Sequence, residues 1–206
     1  MEDVAAGWSR AEPGIAMLRL ATITLLFALL SNPAHASQPA TDWQEAATLP
    51  DLGSMTQAAP AALLGQKLSG EWRGVLHYRD FGTDKAVRLP TVLVIDGASA
   101  ALQLVFTYDD GPAKTVRSAE QWSLGSEGAL FCMGKDAGPM AVSLLRSNEA
   151  GDLALVALGT GTENGAQVEV RSVVLRRGNT LDISRSTRLP KAEWLLRHVY
   201  RLSLQQ

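Results

Sequence analysis

Gly70-Glu71-Trp72-Arg73-Gly74-Val75-Leu76-His77-Tyr78-Arg79-Asp80 alternates between two kinds of side chain. Trp72, Gly74, Leu76 and Tyr78 fall on one face of an extended chain, and Arg73, His77 and Arg79 fall on the other. That is the period of a half-buried β-strand, and it recurs almost to the end of the chain. Strands are predicted at Glu71–Asp80, Val87–Ile95, Leu102–Tyr108, Lys114–Leu124, Ala129–Met133, Met140–Ser147, Leu153–Leu158, Gln167–Arg177, Thr180–Arg188 and Trp194–Leu204. Between them lie Asp96-Gly97, Asp109-Asp110-Gly111-Pro112, Gly125-Ser126-Glu127-Gly128, Asn148 to Gly151, Asn164-Gly165 and Gly178-Asn179. Gly and Asn reach positive φ at little cost, as tight hairpin turns require. Nothing between the strands is long enough for the crossover helix of a parallel sheet. The pattern predicts an all-β domain over residues 67–206, an antiparallel up-and-down β-barrel of about 8–10 strands.

The alternation also assigns faces. Leu102, Leu104, Phe106 and Tyr108 share one face of the third strand, and Val116, Ser118, Glu120, Trp122 and Leu124 share one face of the fourth. Leu181, Ile183, Arg185 and Leu189 group together, as do Trp194, Leu196, His198, Tyr200, Leu202 and Leu204. One-sided burial of this kind suits antiparallel strands with a wet outer face. Residues 191–204 admit a second reading, because Pro190 followed by Ala192, Leu195, Leu196 and Val199 also fits a helix with Pro in its first turn. The strand is favoured because Trp, Val and Tyr suit a pleated surface and the preceding strand otherwise lacks a partner.

The N-terminal third has a different texture. After Met17, Arg19 precedes the apolar run Leu20 to Leu30, then Ser31-Asn32-Pro33 and Ala34-His35-Ala36. This order is that of a secretory signal peptide over residues 1–36, cleaved after Ala36, with translation starting at Met17 as a variant of that reading. The apolar run is too short to cross a bilayer core of roughly 30 Å as a helix. A short buried core helix at 20–30 is the alternative. Residues 37–66 are rich in Ala, Pro, Gln, Ser and Thr and are expected to form a flexible leader, with one short helix around 61–68. The expected location is the periplasm or the exterior, with no stable membrane span after cleavage.

Loss of residues 1–36 removes two of the 19 basic and three of the 21 acidic residues, leaving 17 and 18. A charge so near zero, without a basic run longer than Arg176-Arg177, argues against nucleic acid as a partner. Cys132 is the single cysteine, so an exported chain would hold its core together without an internal disulfide.

Gly70-Glu71-Trp72 at the start of the first strand resembles the Gly-x-Trp signature of the lipocalins and the wider calycin group. The resemblance implies a Trp that plugs one barrel end and stacks on an Arg near the chain end, for which Arg188, Arg197 and Arg201 are candidates. The chain departs from the family in lacking a Thr-Asp-Tyr-type second motif and a disulfide. Ten strands lean toward the fatty-acid-binding or haem-binding barrels of the same group. Fatty-acid carriers in that group hold a carboxylate with an Arg and a Tyr from the last strands, which the resemblance would place on Arg185 and Tyr200.

Polar groups on an inward face are the informative ones, because burying them unpaired costs free energy. A guanidinium offers a carboxylate a bidentate fork and a phenol adds one donor, so Arg185 and Tyr200 form a candidate ligand-binding pair. An internal salt bridge from Arg185 to Glu120, or a solvated Arg at a barrel mouth, are the bland alternatives. His198 is a candidate to orient a polar head, or to ligate haem iron in a lower-ranked alternative. Trp72, Leu76, Phe106, Trp122 and Leu196 are expected to line an apolar pocket. Two mature-chain histidines and one cysteine make no zinc site. Gly97-Ala98-Ser99-Ala100-Ala101 and Gly125-Ser126-Glu127-Gly128 each miss the Gly-x-Ser-x-Gly pattern, and Gly159-Thr160-Gly161-Thr162 lacks the Lys and helix of a phosphate loop. No catalytic set emerges from the sequence.

The expectation is therefore an exported barrel that sequesters or carries a small apolar or amphipathic molecule such as a fatty acid, without a resident cofactor. A solid-cored module that meets a cell-envelope protein, and a barrel enzyme or haem protein, are the competing classes.

Overall fold

The computed structural model describes residues 51–205 except 54, 56, 81, 82, 84, 112, 113, 126–129 and 134–138. The expected signal peptide and residues 37–50 of the expected leader lie outside the described residues. The described chain runs β1 (Gln57–Ala58), α1 (Leu63–Leu68), β2 (Gly70–Asp80), β3 (Lys85–Asp96), β4 (Ala101–Asp109) and β5 (Thr115–Leu124). It continues through β6 (Leu130–Met133), β7 (Met140–Ser147), β8 (Leu153–Glu163), β9 (Ala166–Arg177), β10 (Thr180–Arg188) and β11 (Leu195–Leu204).

Each strand from β2 to β10 pairs antiparallel with its successor, and β11 returns to pair with β2 from His198↔Tyr78 to Leu204↔Trp72. The result is a curled all-β sheet with up-and-down barrel topology, as the alternation predicts. Residues 195–204 are a strand, which settles the choice against the helix. Asn164 and Gly165 take consecutive positive φ values of 50° and 79°, the left-handed pair a two-residue hairpin turn needs. Among the described residues β6 pairs with two residues of β7, Met140 and Ala141. β1 takes up another part of that edge, pairing with Arg146 and Ser147.

Alternation puts Trp72, Leu76, Leu89, Leu93, Leu102, Leu104, Phe106, Trp122, Leu181 and Leu202 in one buried core on the inner face. The short helix expected around 61–68 is present as α1, whereas the described residues before it depart from a flexible leader. Met55 packs with Ala154 and Leu175 on the outside of the sheet, with Leu52 and Leu144 beside it. Helix α1 buries Leu64 and Leu68 in the barrel core. Met55, a lone apolar side chain in a Pro- and Ala-rich stretch, carries no strand or helix period that would signal its packing.

A second departure concerns β11. The β10–β11 register shifts between Arg185 and Ser186, so Arg185 faces His198 while Ser186 faces Leu196. Against β9 the same part of β10 runs without a shift, with Arg185 opposite Ser172 and Ser186 opposite Arg171. The extra residue on β11 therefore turns Leu196 to the outer face, away from the expected pocket. Trp194 is not inward either. It packs against two guanidinium groups, Arg171 and Arg188, each 4.5 Å from its ring centroid. Leu189 is an exposed connection residue rather than an inward one.

Candidate ligand site in the barrel lumen

One end of the barrel is filled. Trp72, wholly buried, donates from Nε1 to the Leu68 carbonyl at 2.8 Å and so ties α1 to the start of β2. The helix lies so close to the 97–100 connection that Gly65 N–H donates to the Ser99 carbonyl at 2.8 Å. A Cβ on Gly65 would sit 2.5 Å from the Ser99 nitrogen, so only Gly fits there. Arg176 completes the plug, donating to the Lys67 carbonyl at 2.5 Å with its guanidinium 5.8 Å from the Trp72 ring. This corrects the expectation for the stacking arginine, because Arg176 comes from β9. Arg188 instead pairs with Glu169 and Arg197 with Glu163, while Arg201 sits on the outward side of β11. A repeat of period two cannot say which of several arginines meets a Trp at the far end of the ring.

Toward the other end the inner face changes character. Tyr78, Tyr108, Ser118, Glu120, Arg185 and His198 occupy inward positions there and keep part of their surface accessible. Trp72, Phe106 and Trp122, three expected pocket residues, are at most 1% exposed. Phe106 serves as floor: its ring centroid is 5.0 Å from Tyr200 and 6.1 Å from Tyr108. Trp122 packs edge-on against Phe131 at 5.7 Å and donates from Nε1 to Glu120 Oε2 at 2.9 Å. Trp72 belongs to the plug.

The three polar candidates do come together. Arg185 on β10 faces His198 on β11, which in turn faces Tyr78 on β2. The His198 and Tyr200 ring centroids are 5.6 Å apart. Burial, and then the Arg185 charge, lower the His198 pKa to about 4, so its imidazole is neutral at neutral pH. Burial pushes the Tyr200 phenol well above its ordinary value, with the Tyr108 phenol and the Glu120 charge acting the same way. The Tyr108 phenol is raised too, chiefly by burial. Both phenols are therefore protonated and can act as donors.

Tyr108 and Ser118 are members of this site that residue-by-residue reading did not select. Tyr108 Oη lies 2.9 Å from Tyr200 Oη and 3.4 Å from Ser118 Oγ. The inward alternation of β4 and β5 was the available signal, but contact across a lumen leaves no sequence period. Arg185 makes no hydrogen bond or ion pair among the described residues, and the salt bridge to Glu120 does not form. An unpaired guanidinium beside a neutral imidazole and two phenols presents donors to an anion.

His77, the other described histidine, faces Val199 and Arg88 on the outward side, so the described residues bring one histidine to the lumen. Among the described residues no group of three or more His, Cys, Asp or Glu side chains could hold a metal ion. No described helix is long and apolar enough to cross a membrane. A shallow groove of about 400 Å³ also lies on β2–β5, lined by Arg73, Pro90, Val92, Thr107 and Asp109 among others. Those five are outward positions, while Gly74, Thr91 and Tyr108 of the inner-face rows complete the lining, so the groove borders the lumen cluster at Tyr108. A scan of protein-family models and searches of curated proteins and of solved structures find no match to this chain.

Proposed function

We propose that this protein is an exported carrier that holds a small amphipathic molecule in the barrel lumen, with an anionic head at Arg185. The observation that carries the reading is the unpaired Arg185 guanidinium on the inner face, next to neutral His198 and the Tyr200–Tyr108 pair. Charged groups turned toward a protein interior ordinarily have a partner, so an absent one suggests that a ligand supplies it. Val87, Met133 and Val142, partly buried at the same inner face, offer apolar surface to a chain. Each methylene fully buried there would contribute about 0.8 kcal/mol. The likeness of Gly70-Glu71-Trp72 to the lipocalin signature supports the same reading, as does the approach of an arginine, though one from β9, to the Trp72 ring. The order of residues 17–36 supports export.

Titration of dodecanoic acid into the purified, delipidated protein, followed by tryptophan fluorescence, tests this. Wild-type protein is expected to bind with micromolar affinity and Arg185→Ala at least about tenfold more weakly, since a charge-assisted contact is worth roughly 1.5–3 kcal/mol. Equal binding by both proteins removes the site, and no binding by either removes the carrier role. The solid-cored module is the second reading, favoured by the complete burial of Trp72, Phe106 and Trp122. Mass spectrometry of gently purified protein separates the two, because a filled interior carries no small molecule.

A further inference from the structure

Resting on the carrier reading, we propose that the lumen is built for a zwitterion, taking an anionic group at Arg185 and a cationic group at Glu120. The two residues stand on β10 and β5, and five strand-to-strand steps separate them whichever way the ring is followed. Both occupy the inner face, by alternation with Trp122 and Ile183. Both keep part of their surface accessible, and no ion pair joins them. Among the described residues the Glu120 carboxylate accepts one hydrogen bond, from the Trp122 indole N–H to its Oε2, which leaves most of its acceptor sites unused.

From β5 to β11 runs a row of hydroxyl groups, with Tyr108 Oη 3.4 Å from Ser118 Oγ and 2.9 Å from Tyr200 Oη. Each hydroxyl both donates and accepts, so the row can serve a polar ligand backbone in either direction. Glu120 and Arg185 also act on the same cluster from its two sides. The Glu120 charge raises the Tyr108 and Tyr200 phenols and the Arg185 charge lowers the His198 imidazole. A simple carboxylic acid would satisfy Arg185 and leave an unneutralised carboxylate in the same lumen. A molecule with a carboxylate at one end and an ammonium at the other satisfies both.

Isothermal titration with ω-amino acids of four to eight carbons, and with unsubstituted carboxylic acids of the same lengths, tests the proposal on the full protein. One length of ω-amino acid is expected to bind at least tenfold tighter than its carboxylic acid, and that length reports the separation of the two charges. In Glu120→Gln, whose amide oxygen can still accept from Trp122, the ratio is expected to fall to about one. A trimethylammonium series on wild-type protein should show the same gain without any variant. If the carboxylic acids bind through Arg185 and the ω-amino acids bind no tighter, the zwitterion assignment fails and the carrier stands. If neither series binds while dodecanoic acid does, the zwitterion assignment fails and the carrier stands; if dodecanoic acid does not bind either, the carrier reading fails and takes this assignment with it.

Discussion

The phenolic oxygens of Tyr108 and Tyr200 lie 2.9 Å apart, joining β4 to β11 although β3 and β2 separate those strands in the sheet. The bond therefore crosses the lumen instead of following the sheet, and it fixes how closely the two walls approach. Phe106 below it, 5.0 Å from the Tyr200 ring, forms the boundary between the packed half of the interior and the polar half.

Tyr108→Phe should destabilise the fold by roughly 1–3 kcal/mol, because it leaves the Tyr200 hydroxyl without its cross-lumen partner. Tyr200→Phe should cost about the same. The double variant should cost less than the sum by about 1 kcal/mol, since neither phenol is then left facing an apolar edge. Urea midpoints of the four proteins supply the cycle. Strict additivity would mean that the two hydroxyls do not interact.

Acid sensitivity should arise partly at His198. Its folded-state pKa, about 4, lies below the ordinary 6.5, with burial the larger cause and Arg185 the smaller. The unfolded chain therefore binds a proton that the folded chain refuses between those two values. Stability is full above pH 6.5 and is lost as the pH falls toward 4, by about 3 kcal/mol in total. His198→Gln removes this contribution while leaving the carboxylates that act in both proteins. Unfolding free energies at pH 7 and pH 4.5 should differ by about 2–3 kcal/mol more in wild type than in the variant. Parallel profiles would place His198 in water.

The architecture was legible because its cause is local. The period-two alternation from Trp72 to Leu204 and the turn chemistry at Asn164-Gly165 sit in the residues that form each strand. The grouping of Arg185, His198 and Tyr200 followed from the same alternation. What the sequence did not disclose was carried by single extra residues and by contacts across the ring. The shift beside Arg185 turned Leu196 outward, and no composition or spacing signals a bulge of that kind. Arg176 rather than Arg188, Arg197 or Arg201 meets Trp72, because the choice depends on how β9 curves past α1. The Tyr108–Tyr200 bond likewise depends on the cross-section of the barrel, which only the closed sheet defines.

Trp72 should matter to the fold and little to the ligand. Trp72→Ala removes the largest side chain of the plug, its bond to Leu68 and the surface under Arg176, and should cost about 3–5 kcal/mol. Arg176→Ala should cost less, about 1 kcal/mol, through the lost bond to Lys67. Thermal denaturation measures both. Dodecanoic acid affinity in Arg176→Ala should stay within about twofold of wild type, because Arg176 lies at the plugged end. A tenfold loss of affinity there would move the ligand from the polar half to the plug.

Gly74→Ala tests the closure of the ring itself. Gly74 faces Leu202 across the β2–β11 seam, and its φ is not in the left-handed region. Backbone freedom is thus not the issue, and an ordinary Gly→Ala exchange at such a site would stabilise by about 0.4–1 kcal/mol through the unfolded chain. Space decides otherwise. A Cβ on Gly74 would stand 2.0 Å from the Arg201 carbonyl oxygen and 2.9 Å from the Leu202 Cα, both of them main-chain atoms. Neither can swing aside as a side chain would, so the seam must part locally to admit one methyl group. The expected result is a loss of roughly 1–3 kcal/mol, with faster amide exchange at Val75 and Leu202 and unchanged exchange at Val174 and Ile183 on the β9–β10 pair. A variant as stable as wild type, with the seam amides still protected, would mean that the first and last long strands do not meet as closely as this register requires.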